Sequence, residues 1–298
     1  MKDKVKWIRQ RQVDRNETIR GAPVCTLKGK KDKSFVLVMS AVLIFWMISS
    51  YLIISKGVFF RHFFILADPF NLKLAFVQLI ICAEIGIALL MALKVTGFSV
   101  SAVKIKITQQ TVSYFLIGYL LSSIAAVIVW ILYVYPQHPK FSFVSSLKLI
   151  MLGILPWVLG CFFQAFAEEL ACHSWGLVAF NRYFGCRLAI VFGGVIFAAM
   201  HLFNNKYNAP AITNAFLYGL LLSYAFFKFD SIAAPVGLHF GWNLSLDLLN
   251  SGHLLAIRFL TPIKIEHGSG LEAHQSTFLL IITMAIILKV MPLPRQAK

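Results

Sequence analysis

The chain has 298 residues, of which 59% are hydrophobic and only 13% charged, with 28 Lys and Arg against 12 Asp and Glu. A soluble domain carries roughly twice that charged fraction, and the apolar residues come in uninterrupted runs of about 18 or more, which suit a bilayer rather than a water-facing helix. The net charge of +16 invites a nucleic-acid reading, but the basic residues crowd into residues 1–33 and the short connections between apolar runs. That placement argues for topology-setting charge and anionic lipid heads, and against nucleic acid as a partner.

In chain order, residues 1–33 read as a basic cytoplasmic N-terminal segment, with eleven Lys and Arg against four acids. The segment is too basic and too long for a cleavable signal peptide. Residues 34–298 read as one polytopic membrane domain. Its apolar runs predict transmembrane helices over about 34–55, 73–93, 112–135, 148–172, 187–204, 211–228, 231–250 and 276–292. The connections carry breakers: Asp68-Pro69, Pro136 to Pro139, Asn204 to Pro210, and Lys228 to Ser231. The fold class is therefore an all-α integral membrane protein, a bundle of about eight helices. An even count puts both ends on one side. If that side is the cytoplasm, it carries 20 of the 28 basic residues, the bias expected of a multi-pass protein of the cell membrane with both termini cytoplasmic.

Helical character from Lys148 to Phe180 would run roughly 50 Å, against a hydrocarbon core of about 30 Å. A break is expected near Ser174-Trp175-Gly176, followed by a short interfacial helix bearing Trp175, Val178, Phe180 and Tyr183. The five cysteines form no CxxC pair and read as small buried hydrophobes.

Ionisable groups inside membrane spans each require an account. The runs contain Glu84, Glu168, Glu169, His173, His201, His239 and Asp247, with Asn214 and Asn243 as buried amides. Glu168 and Glu169 are adjacent, so burial and like charge act against ionising both. His173 lies four residues beyond Glu169 on the same helical face, whereas Glu168 must find its partner on another helix. The pair also fits a solvated helix end. Phe197-x3-His201 places one imidazole late in an apolar span, as a catalyst or as a core residue bonded to a carbonyl. His239-x3-Asn243, with Asp247 one turn further, forms a polar stripe facing a cavity or an interhelical hydrogen-bond seam. Together they hold a carboxylate base, imidazoles and an amide donor, the groups needed to activate water against a carbonyl. Gly193-Gly194, Gly219, Gly237 and Gly241 would let helices pack closely around them.

Glu168-Glu169, Phe197-x3-His201 and His239-x3-Asn243, in this order on the fourth, fifth and seventh spans, resemble the CAAX-protease and bacteriocin-processing family of intramembrane glutamic endopeptidases. The intervening stretches Ala211 to Gly219 and Ser231 to His239 look similar too, so the resemblance covers a core of about 150–250. It implies that Glu168 and His201 activate a water and that His239 and Asn243 form an oxyanion hole. Glu169 would be the supporting carboxylate, which in the family pairs with an arginine four residues on. Here that position is His173, a titratable group in place of a permanent cation. The implied substrate is a membrane-associated protein or peptide precursor entering from the bilayer. No cofactor is implied, and zinc on two histidines and a glutamate is the metal alternative. A catalytically silent scaffold, regulator or bacteriocin-immunity protein is the non-enzymatic alternative.

The topology has a direct check. Reporters fused after residue 33 and at residue 298 are expected to report cytoplasm, and one within 253–272 the opposite side; a cytoplasmic signal from that loop overturns the eight-span count.

Overall fold

In the computed structural model the described residues are 72–96, 100–138, 141–143, 147–202, 206–250, 257–259 and 270–291, together with Val38 and Val42. The basic segment 1–33 lies outside them, as does the first expected span apart from those two valines. The described chain forms α1 (Leu72–Thr96), α2 (Gln109–Val134), α3 (Leu147–Glu169), α4 (Gly176–Phe184), α5 (Cys186–His201), α6 (Ala209–Phe229), α7 (Ala233–Asn250) and α8 (Gln275–Val290). It is helical apart from an antiparallel pair of three-residue strands, β1 (Phe141–Phe143) and β2 (Ile257–Phe259). Hydropathy did not signal this ribbon, because three residues are too few to show a period.

Three segments are long and apolar enough to cross a membrane: Gln109–Gln137, Ile154–Val178 and Ala209–Phe229. Shorter apolar stretches occupy Ala75–Met91, Cys186–His201 and Gln275–Val290. On α2, Val112, Leu116, Leu120, Ile124 and Ile131 remain exposed, an apolar face that suits lipid. The protein is a membrane protein.

Contacts between helix ends sort the bundle into two poles. At one pole Ser174 Oγ donates to the Val103 carbonyl at 2.8 Å, Lys104 pairs with Asp230, and Lys228 Nζ donates to the carbonyls of Leu288 and Met291 at the end of α8. At the other pole β1 pairs with β2, Asn214 Nδ2 donates to the Glu272 carbonyl at 2.7 Å, and the Tyr133 and His274 rings meet at 5.5 Å. Helices α2, α6, α7 and α8 thus alternate in direction.

The expected break after the fourth span is replaced by a change of winding. Leu170–Trp175 is π-helical, and Gly176 keeps right-handed helical dihedrals into α4. The short helix forms where expected but packs inward. Leu177 and Val178 are buried, and Phe180 stacks on Phe192 of α5 at 4.1 Å. Cys161 and Cys172 are buried free thiols, and Cys82 and Cys186 half-buried ones.

Glycine sets two close crossings among the described helices. A methyl at Gly118 would stand 2.5 Å from the Ala234 carbonyl oxygen; one at Gly237 would overlap the Phe115 carbonyl oxygen, and one at Gly241 the Tyr119 carbonyl oxygen. Helices α2 and α7 therefore touch backbone to backbone, the packing that small residues at i and i+4 permit. At the second crossing, Gly219 of α6 meets Gly194 and Phe197 of α5. Gly237→Val is expected to cost at least about 1–3 kcal/mol by overpacking, seen as a lower melting temperature in detergent. Gly86→Ala, with no atom within 4 Å of the added carbon, should be neutral or stabilising by up to about 1 kcal/mol; equal losses from both would refute the close crossing.

Candidate active site

Glu168 and Glu169 close α3 at the point where winding changes from α to π, a local irregularity frequent at functional sites. The Glu169 side chain is fully buried. Its Oε1 accepts a hydrogen bond from His239 Nδ1 of α7 at 2.8 Å. Its Oε2 lies 2.8 Å from His173 Nδ1, but off the line of a hydrogen bond, so neither atom counts a directed partner. The His173 ring is wholly buried, 5.5 Å from the Phe197 ring.

Glu168 is more open, with its side chain 19% exposed. Oε2 faces His239 Nε2 at 3.7 Å, and Oε1 accepts from Gln164 Nε2 at 3.3 Å. The partner that Glu168 needs from another helix is therefore His239. One imidazole sits between the two adjacent carboxylates, an arrangement that requires α7 to lie beside the end of α3.

Glu168, His201, His239 and Asn243 all line one cavity of about 240 Å³. His201 Nδ1 donates to the Phe197 carbonyl at 2.8 Å, so a neutral ring keeps Nε2 as its acceptor. The carbonyl-bonded reading of His201 and the site reading thus hold together. Asp247 lines the same cavity and receives the Cys161 thiol at 3.5 Å. Glu169 and His173 stand behind the lining.

Sequence reasoning missed several lining groups, notably Gln164, Tyr207, Trp242 and Glu272. Tyr207 packs its ring on His201 at 4.8 Å. Burial pushes its phenol up, and Glu272, Glu168 and Asp247 push it in the same direction, so it remains neutral. Gln164 had a usable signal, standing one helical turn before Glu168. Tyr207 and Glu272 had none, because they reach the cavity from connections between helices. Asn214, expected as a buried amide, anchors the Glu272 backbone over this end of the cavity. The cavity therefore extends toward the pole of β1, β2 and the connection before α8. His239 stands six residues, about 9 Å, into α7, so Glu168 lies at the inner end of a cavity reaching the opposite pole. Among the described residues no group of three His, Cys, Asp or Glu side chains is placed to hold a metal ion.

Residues 149–245, about a third of the chain, match the family profile described as type II CAAX prenyl endopeptidase Rce1-like. This stretch contains Glu168, Glu169, His173, His201, His239 and Asn243, so the segment that carries these groups is similar to a CAAX-protease family. No curated protein and no solved structure matches the chain.

The buried pair yields a stability prediction. His173→Ala removes one of two imidazoles from a fully buried carboxylate and is expected to destabilise by roughly 3–5 kcal/mol. Chemical unfolding in detergent measures it, and a loss below about 1 kcal/mol, the range of an exposed pair, would show that Glu169 does not depend on His173.

Proposed function

We propose that the protein is an intramembrane endopeptidase that hydrolyses a peptide bond in a membrane-associated protein or peptide precursor, using a water activated by Glu168. The observation that carries this reading is one cavity lined by Glu168, His201, His239 and Asn243, drawn from α3, α5 and α7. Glu168, with His201, takes a proton from the water as its oxygen bonds to the scissile carbonyl carbon. His239 and Asn243 donate to the oxyanion that forms. Collapse of that tetrahedral species breaks the C–N bond, and protonated Glu168 passes its proton to the departing amine. Glu169 supports the site by holding His239. This assigns no covalent intermediate and no cofactor.

The competing reading, a silent scaffold or immunity protein, draws on His173 standing where the family carries arginine. The four proposed catalytic groups nonetheless remain together on one cavity.

Cleavage products are compared, by proteomics, in membranes carrying wild-type or Glu168→Gln protein. Glu168→Gln preserves size but removes the base, so cleavage should fall by about 10²–10⁴. Asn243→Ala should lower it by about 10²–10³. The double variant should lose little more than the worse single variant, because the two serve one reaction. A chelator should leave cleavage unchanged; its loss, restored by zinc, would favour the metal alternative. Folded Glu168→Gln protein that performs every cellular role of the wild type would sink the protease reading and leave the scaffold.

A further inference from the structure

The two oxygens of Glu168 have different partners. Oε1 accepts from the Gln164 amide at 3.3 Å, while Oε2 faces His239 Nε2 at 3.7 Å. Gln164 and Glu168 stand four residues apart on α3, and both line the cavity. The opposite orientation of the amide would set its oxygen against a carboxylate oxygen, two acceptors face to face, so Nε2 is the atom that meets Glu168.

A carboxylate turns about its last torsion in a broad, two-fold well. A general base free to turn presents either oxygen to the water and holds neither in line. A donor on one oxygen removes that freedom. The backbone of α3 fixes where the donor stands, because residues four apart on a helix share a face.

We infer that Gln164 is a positioning residue for the proposed hydrolysis, its amide holding Oε1 of Glu168 so that Oε2 receives the proton of the attacking water. The inference rests on the protease reading above. Gln164 exchanges no proton and forms no bond to substrate. Its contribution is the direction in which Glu168 points, and a misplacement of about 1 Å between reacting atoms costs on the order of 10²-fold in rate.

The test uses the full chain in detergent micelles and a synthetic peptide spanning a bond cut by wild-type but not Glu168→Gln membranes. Gln164→Met keeps the length and apolar fill of the side chain without the donor. Its kcat should fall by about 10–100-fold, with KM and melting temperature unchanged. In a Glu168→Gln background the same substitution should change residual cleavage less than about twofold, because the group it positions is no longer a base. A purely structural role predicts instead a lower melting temperature and the same fractional loss in both backgrounds. If Gln164→Met does not fold, Gln164→Asn, whose amide is too short to reach Oε1, is read in the same way. A kcat for the folded variant within twofold of wild type, with Glu168→Gln inactive, overturns the role of Gln164 and leaves the protease reading standing. Glu168→Gln protein that cleaves as well as wild type, or wild-type membranes that cleave nothing, overturns both.

Discussion

The Glu169 carboxylate is fully buried, and the site depends on how that burial is compensated. An isolated ionised carboxylate in an apolar interior is strongly disfavoured, and removing one partner of a buried pair typically costs about 3–5 kcal/mol. Glu169 is met on one oxygen by His239 and on the other by His173. His173 belongs to the same stretch of chain, whereas His239 comes from α7, some 70 residues away in sequence. The contact with His239 therefore ties the end of α3 to α7 and turns the ring so that its second nitrogen faces Glu168.

That tie has to meet a helix whose position is already set. Helix α7 reaches α2 through Gly237 and Gly241, and α2 offers Gly118 in return. Side chains on this face would hold the backbones apart and carry His239 away from Glu169. The α5–α6 crossing does the same for His201, since Gly194 and Gly219 let α6 approach the segment bearing Phe197. Glycine on the helical contact faces and polar groups on the cavity face are thus two parts of one arrangement. Packing fixes the backbones to within the tolerance that hydrogen bonds of 2.8 Å demand.

Much of this was legible in the sequence. Long apolar runs marked α1, α2, α3, α5, α6 and α8, because membrane burial leaves a signal in every residue of a helix. The order of Glu168, His201, His239 and Asn243 marked four groups that line one cavity, because costly groups stand out against an apolar background. The i to i+4 relation of Glu169 and His173 was readable for the same local reason. What could not be read is non-local. Nothing in the spacing says that His239 faces Glu169 as well as Glu168, since that follows from the approach of α7 to α3. Tyr207 and Glu272 line the cavity from connections, where no periodicity directs a side chain inward. The π-helical winding of Leu170–Trp175 left no composition signal, and sequence reasoning placed a break in its stead.

The adjacency of Glu168 and Glu169, a like-charge conflict on paper, becomes intelligible once the protons on His239 are counted. An ionised Glu169 only accepts, so Nδ1 of His239 must carry a hydrogen for the 2.8 Å bond to form. In a neutral ring Nε2 would then present a lone pair toward an ionised Glu168 at 3.7 Å, two acceptors facing each other. Donation from Nε2 to a developing oxyanion, the role proposed for His239, demands the doubly protonated ring. On the proposed reading the two carboxylates divide the work: Glu169 accepts from Nδ1 and fixes the ring of His239, which leaves Glu168 to serve as the base.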